Sequence, residues 1–153
     1  MNIYQPTYDQ LHTGCVEIAD TISRGPIKFD YILGLVRGGT FPAMILSHRL
    51  GIPMIAAHYS SKSGAGDNKN HSNNLPALYN GQTVLIVDDI ADSGKTLEEV
   101  FKYYVLENKC VTFTAVLYYK EQDNGIVPDY YWQKIPTESE WVIFPWEDLT
   151  VAK

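Results

Sequence analysis

Leu11, Cys15, Ile18 and Ile22 recur on one face of a helical period, and Thr7 stands three positions before Gln10 just ahead of them. That pattern predicts an amphipathic helix opened by a capping box and stopped by Gly25-Pro26. A short apolar run, Tyr31 to Val36, ends in Arg37-Gly38-Gly39 and is followed by a helical pattern from Phe41 to Leu50 with Gly51 as its stop. It reads as strand, glycine-rich turn and helix. Pro53 to His58 predicts another strand, and the SSKSGAGDNKNHSNN that follows has no periodicity, so residues 60 to 75 are expected to form a mobile loop. Behind Gly81, Thr83 to Val87 is a β-branched strand, and Thr96 with Glu99 predicts a second capping box before a helix face of Leu97, Val100, Phe101 and Tyr104. Val111 to Tyr119 predicts a further strand, and Tyr130 to Gln133 and Trp141 to Phe144 two short ones. Strands alternating with helices predict an α/β fold: a mostly parallel sheet flanked by helices, with a small C-terminal hood.

Composition narrows the setting. The chain has 153 residues, 45% of them apolar, which suits one domain over residues 1–153 with its hood from about residue 120. Eighteen acids against twelve bases give a net charge of -6, and no basic cluster is present, which argues against a nucleic-acid partner. Any phosphate is then bound by local structure. No apolar run approaches the ~20 residues that span a bilayer, so no membrane partner is expected and a cytoplasmic protein is the default. Cys15 and Cys110 lack metal-ligand spacing and sit in apolar segments, as buried free thiols do. His12, His48, His58 and His71 show no metal spacing either.

The stretch VLIVDDIADSGKT, Val84 to Thr96, carries the chemistry. Four apolar residues deliver two adjacent carboxylates, a third, and a Ser-Gly-Lys-Thr turn, and buried carboxylates need a cation or a donor. At a parallel strand's C-terminal end the following helix points unpaired amides outward, which is where ligands gather. A P-loop needs a glycine five positions before its Gly-Lys pair, where Asp89 stands. A receiver domain often starts with such an acidic strand, but too little chain follows Asp89 to complete one. Simple helix capping accounts for one aspartate and leaves two unexplained.

A fourth reading rests on resemblance. Apolar strand, Asp-Asp, two apolar residues and Asp-Ser-Gly-Lys-Thr resembles the signature of the type I phosphoribosyltransferases, and Asp92 resembles the third acid of their 6-oxopurine branch. Val36-Arg37-Gly38-Gly39 stands in the place of that family's pyrophosphate loop, Ser60-Ser61 begins the place of its flexible catalytic loop, and Lys120 that of a purine-reading lysine. Trp141-Val142 stands where the family has an aromatic and an aliphatic residue around the base, and Pro145-Trp146-Glu147 matches a Pro-Trp-acid ending. Three departures are Lys120-Glu121 for Lys-Pro, Lys62 for an aromatic residue, and Ile143-Phe144 for a more polar pair.

The resemblance implies transfer of the 5-phosphoribosyl group from phosphoribosyl pyrophosphate to N9 of a 6-oxopurine, with Mg2+ as cofactor. An apolar lining discriminates weakly among purine 2-substituents, which makes hypoxanthine and guanine safer expectations than xanthine. Asp92, Asp88, Asp89 and Arg37 are the implied catalytic residues: Asp92 at purine N7, Asp88 and Asp89 at the ribose hydroxyls and metal, and Arg37 on pyrophosphate beside the Gly38 and Gly39 amides. Ser93, Gly94, Lys95 and Thr96 would wrap the 5'-phosphate. The loop from Ser60-Ser61 to Asn74 would close over the site, Lys120 would donate to purine O6, and Trp141 and Val142 would flank the base. Family members often carry a cis peptide where Val36-Arg37 stands, and are usually dimers or tetramers. A non-catalytic sensor of the same fold, or an enzyme for another base, are the alternatives.

Overall fold

The computed structural model describes residues 2–61, 73–135 and 140–147. Its elements are β1 (Asn2–Tyr4), α1 (Tyr8–Arg24), β2 (Tyr31–Val36), α2 (Thr40–Leu50), β3 (Met54–His58), β4 (Thr83–Ala91), α3 (Lys95–Lys102), β5 (Val111–Lys120), β6 (Tyr130–Ile135) and β7 (Glu140–Val142). A π-helical turn, Tyr103–Glu107, prolongs α3.

The capping box of α1 forms as its sequence predicts: Thr7 Oγ1 accepts from the Gln10 amide at 3.1 Å, and Gln10 Oε1 from the Thr7 amide at 2.9 Å. Two orphan amides are satisfied before the apolar face begins. That face, Leu11, Cys15, Ile18 and Ile22, is buried. β2 and β4 are apolar without alternation because helices cover both sides of the sheet. Leu85 and Val87 of β4 pack in one core cluster with α1 and α2, while Val84 and Ile86 pack in another with Leu97, Val100 and Tyr104. Each such side chain contributes about 1.5–3 kcal/mol when fully buried. Cys15 and Cys110 are buried free thiols.

The main sheet has the order β3-β2-β4-β5-β6 with every neighbouring pair parallel. Of the two C-terminal strands expected in the flap, β6 therefore belongs to the main sheet. The hood is β7 paired in parallel with β1, with Ile3 opposite Trp141 and Tyr4 opposite Val142. An aromatic series fastens the hood to the start of α2: Phe144 stacks on Trp146 with centroids 4.7 Å apart, and Trp146 meets Phe41 at 5.3 Å. Trp132 lies instead over Gly14 of α1, where a Cβ would come within 2.5 Å of the indole.

Two local expectations are corrected. β4 continues past Val87 to Ala91 because β5 is long enough to pair with it, Asp88 opposite Val116 and Ile90 opposite Tyr118. The Thr96–Glu99 capping box does not form, since α3 opens at Lys95 with Gly94 as its N-cap. Thr96 is thus already the second helical residue, and Glu99 bonds the Tyr59 hydroxyl instead. Of the loop expected over residues 60–75, residues 62–72, with Lys62 and His71, lie outside the described residues.

Candidate active site

β2 is followed on one side by β3, and on the other by β4, β5 and β6, so the strand order reverses between β2 and β4. In open parallel sheets such a switch point opens a crevice beyond the strands' C-terminal ends. Parallel pairing puts the residues that follow β2, β3, β4 and β5 at that same edge: Arg37-Gly38-Gly39, Ser60-Ser61, Asp92 to Thr96, and Lys120 as the last residue of its strand.

The turn after β2 and the acidic pair of β4 meet across the switch point. The Val36-Arg37 peptide is cis. A Cβ on Gly38 would overlap the Asp89 carboxylate, so only glycine permits this approach. Arg37 is exposed at the rim. Asp89 is 9% exposed. Each carboxylate accepts from the next amide of its own strand, Asp88 Oδ1 from Asp89 N at 2.9 Å and Asp89 Oδ1 from Ile90 N at 2.8 Å. Adjacent side chains on a strand are expected to point apart. Here the two carboxyls instead bond each other. Burial, then the charge of Asp89 and the bond to it, pushes the Asp88 carboxyl well above the usual carboxylate range. Burial also raises Asp89, offset in part by the bonds from Asp88 and from the Ile90 amide, and Glu147 raises it further by like charge. Both carboxyls are thus raised by burial and tied to each other.

Beyond β4 the chain turns at Gly94, whose φ of 79° is left-handed, and enters α3 at Lys95. The Ser93 hydroxyl accepts from the Lys95 amide at 3.4 Å, and α3 makes no side-chain N-cap bond. The amides after that of Lys95 in the first turn carry no side-chain cap, the arrangement that receives anions.

Asp92 belongs to a different environment. Its side chain is 54% exposed and pairs with the Lys120 ammonium at 3.2 Å, while Lys120 is only 7% exposed. Lys120 Nζ also lies 5.8 Å from the centroid of the Trp141 ring, which is itself 51% exposed. Acid, ammonium and aromatic face thus come together at the hood from three separate stretches of chain. Val142 packs in the core. Ser60 stands at the mouth, its amide donating to Asn73 Oδ1 at 2.9 Å.

Two participants went unassigned in the sequence. Glu147 influences Asp89, and only its position after Pro145-Trp146 hinted at a part in the site. Gln122 donates from its side-chain amide to the Asp92 carbonyl oxygen at 3.1 Å, and no sequence signal marked it.

Crevice, glycine turn and open helix start define an α/β protein built to receive a phosphorylated ligand. The chain belongs to the phosphoribosyl transferase domain family, whose pattern it matches over residues 7–148. It is 32% identical over 145 residues to the xanthine-guanine phosphoribosyltransferase of Gluconobacter oxydans, covering 92% of this chain and 82% of that one. Among solved structures it resembles a purine phosphoribosyltransferase from Pyrococcus horikoshii, with TM-score 0.81 and 31% identity over 100% of this chain and 99% of that one. A Neisseria gonorrhoeae protein with bound ppGpp is also similar, with TM-score 0.77 and 26% identity over 97% and 90% of the two chains.

Proposed function

We propose that this protein is a purine phosphoribosyltransferase that joins a 6-oxopurine through N9 to C1 of phosphoribosyl pyrophosphate and releases pyrophosphate. The observation that carries the reading is the gathering, at one switch point, of an arginine-glycine turn, a carboxylate pair, an open helix start, and a lysine-aspartate pair beside an exposed tryptophan.

The amides at the start of α3, with the hydroxyls of Ser93 and Thr96 and the ammonium of Lys95, bind the 5'-phosphate. Asp88 and Asp89 hold the ribose hydroxyls, and their negative charge opposes the positive charge that grows on the ring as the bond to pyrophosphate stretches. Arg37 and the Gly38 and Gly39 amides take up the charge of the leaving group. Lys120 donates to the purine O6, Trp141 stacks on its face, and Asp92 turns from Lys120 to N7, giving or taking the proton as N9 becomes nucleophilic. Ser60 and Ser61 lead into the segment that shields the reacting carbon from water.

Magnesium fits this donor set. The two carboxylates are hard oxygen ligands brought against each other on β4, and such ions bind one or two carboxylates together with substrate oxygens and water. When bound, the ion neutralises charge on the departing pyrophosphate. Among the described residues no helix is long and apolar enough to cross a membrane. We infer a cytoplasmic enzyme that assembles as a dimer or tetramer, a state that sedimentation will read directly.

The test is magnesium-dependent consumption of phosphoribosyl pyrophosphate with guanine, hypoxanthine, xanthine, adenine and uracil in turn, reading nucleotide product. Turnover with a 6-oxopurine is expected, and failure with all of them would sink the reading. The ppGpp held by the Neisseria protein favours a second reading, a nucleotide-binding regulator without turnover. Tight ppGpp binding by a chain inert in the assay would establish it.

A further inference from the structure

Asp92 lies in the gap between the end of β4 at Ala91 and the start of α3 at Lys95, where neither sheet nor helix holds its main chain. Two groups from the end of β5 reach it. The Lys120 ammonium pairs with its carboxylate at 3.2 Å, and the Gln122 side-chain amide donates to its carbonyl oxygen at 3.1 Å. In the proposed complex the first contact is given up, because Lys120 and the Asp92 carboxylate both turn to neighbouring atoms on the purine edge. The second involves only the Asp92 main chain and survives the exchange.

We propose that Gln122 is a positioning residue, anchoring the Asp92 backbone while the Asp92 carboxylate swaps Lys120 for the base. The inference rests on the transferase reading above. Gln122 is itself well held. Its neighbour Glu121 pairs with Lys134 of β6, and the Gly125 amide donates to the Gln122 carbonyl at 3.2 Å, closing a turn. The residue directly after that turn, Ile126, rests over the phosphate cradle, its Cγ2 3.3 Å from where a Cβ on Gly94 would lie. The β5–β6 connection therefore grips the loop that carries Asp92 at two points, one through Gln122 and one through Ile126. An unanchored carboxylate samples positions away from N7, and displacements of about 1 Å are enough to cost large factors in rate.

The structure also supplies a way to disturb Gln122 without replacing it. A Cβ on Gly125 would stand 2.9 Å from the Gln122 Cβ, so Gly125→Ala pushes Gln122 aside from a residue that touches nothing in the site.

The experiment measures kcat, KM for each substrate and melting temperature in the wild type, Gln122→Ala, Gln122→Glu and Gly125→Ala. Gln122→Ala is expected to lower kcat about tenfold with KM for phosphoribosyl pyrophosphate within about twofold. Gln122→Glu keeps the size, removes the donor at neutral pH and is expected to lose as much, while Gly125→Ala loses about threefold. The two Gln122 variants should melt within about 2 °C of the wild type, as surface substitutions do. A kcat within twofold of wild type in both Gln122 variants would overturn the inference. So would a loss confined to KM for phosphoribosyl pyrophosphate, or one that merely tracks a fall in melting temperature. A wild type inert with every 6-oxopurine overturns the transferase reading itself, and the inference with it.

Discussion

The two sides of the crevice are built on opposite principles. On the β2–β4 side, Asp88 and Asp89 sit within a strand, both raised by burial, and Asp89 lies so close to the Gly38 turn that a methyl group would not fit. On the β5–hood side, Asp92 is half open to solvent, its ammonium partner comes from another strand, and the aromatic ring beside them belongs to a three-residue strand paired with the first residues described. The first side is fixed by backbone geometry and the second by side chains that must let go of one another. In the proposed reaction the fixed side handles the sugar and the leaving group, which are the same for every acceptor. The yielding side handles the base, which is where related enzymes must differ.

Substitutions should separate the two sides. Gly38→Ala will drive a methyl into Asp89 and is expected to lower kcat by about 10²–10³-fold at unchanged secondary structure, checked by initial rates and circular dichroism. Asp92→Asn should lower kcat about 100-fold while calorimetric affinity for phosphoribosyl pyrophosphate stays within about threefold. Equal losses in both would place Asp92 with the fixed side. Lys120→Ala should raise KM for the base about tenfold and leave KM for phosphoribosyl pyrophosphate alone, and a base KM that does not move would break the comparison.

A smaller effect is expected with pH. Asp88 holds its proton more tightly folded than unfolded, where its ordinary value is 3.8. Without magnesium, its contribution to stability is full below that value and is lost as pH rises toward the raised folded one. Melting temperature in chelator should therefore decline with pH across that window, and Asp88→Asn should flatten the decline. The least effect concerns the thiols. Burial pushes Cys15 up to about 12 and raises Cys110 as well, so both should resist iodoacetamide at pH 8 in native protein and react once it is unfolded.

The fixed side was also the legible one. β2 with its Arg37-Gly38-Gly39 turn, and β4 with its three aspartates and Ser93-Gly94-Lys95-Thr96, are contiguous, and a strand buried on both faces announces itself as an unbroken apolar run. The yielding side is assembled across the chain. Lys120 and Trp141 carried no local sign of meeting Asp92, and only resemblance pointed to them. Gln122 acts through a bond to a main-chain oxygen, which leaves no pattern in the sequence. β1 is too short to show a period, so β7 has no visible partner in the sequence, which groups β6 with it in the flap. Thr96 and Glu99 have capping spacing, but a left-handed Gly94 caps the helix two residues before Thr96 and Tyr59 engages Glu99.

The π-helical turn Tyr103–Glu107 has a consequence for how this chain tolerates change. A π turn holds one residue more than an α turn, and here that residue is absorbed between the cradle at Gly94 and the start of β5. Tyr104 is fully buried within it and its hydroxyl reaches the Pro76 carbonyl at 2.9 Å. The helix thereby works as an expansion joint: length is taken up at its far end, while the end that faces the crevice keeps its phase with the sheet.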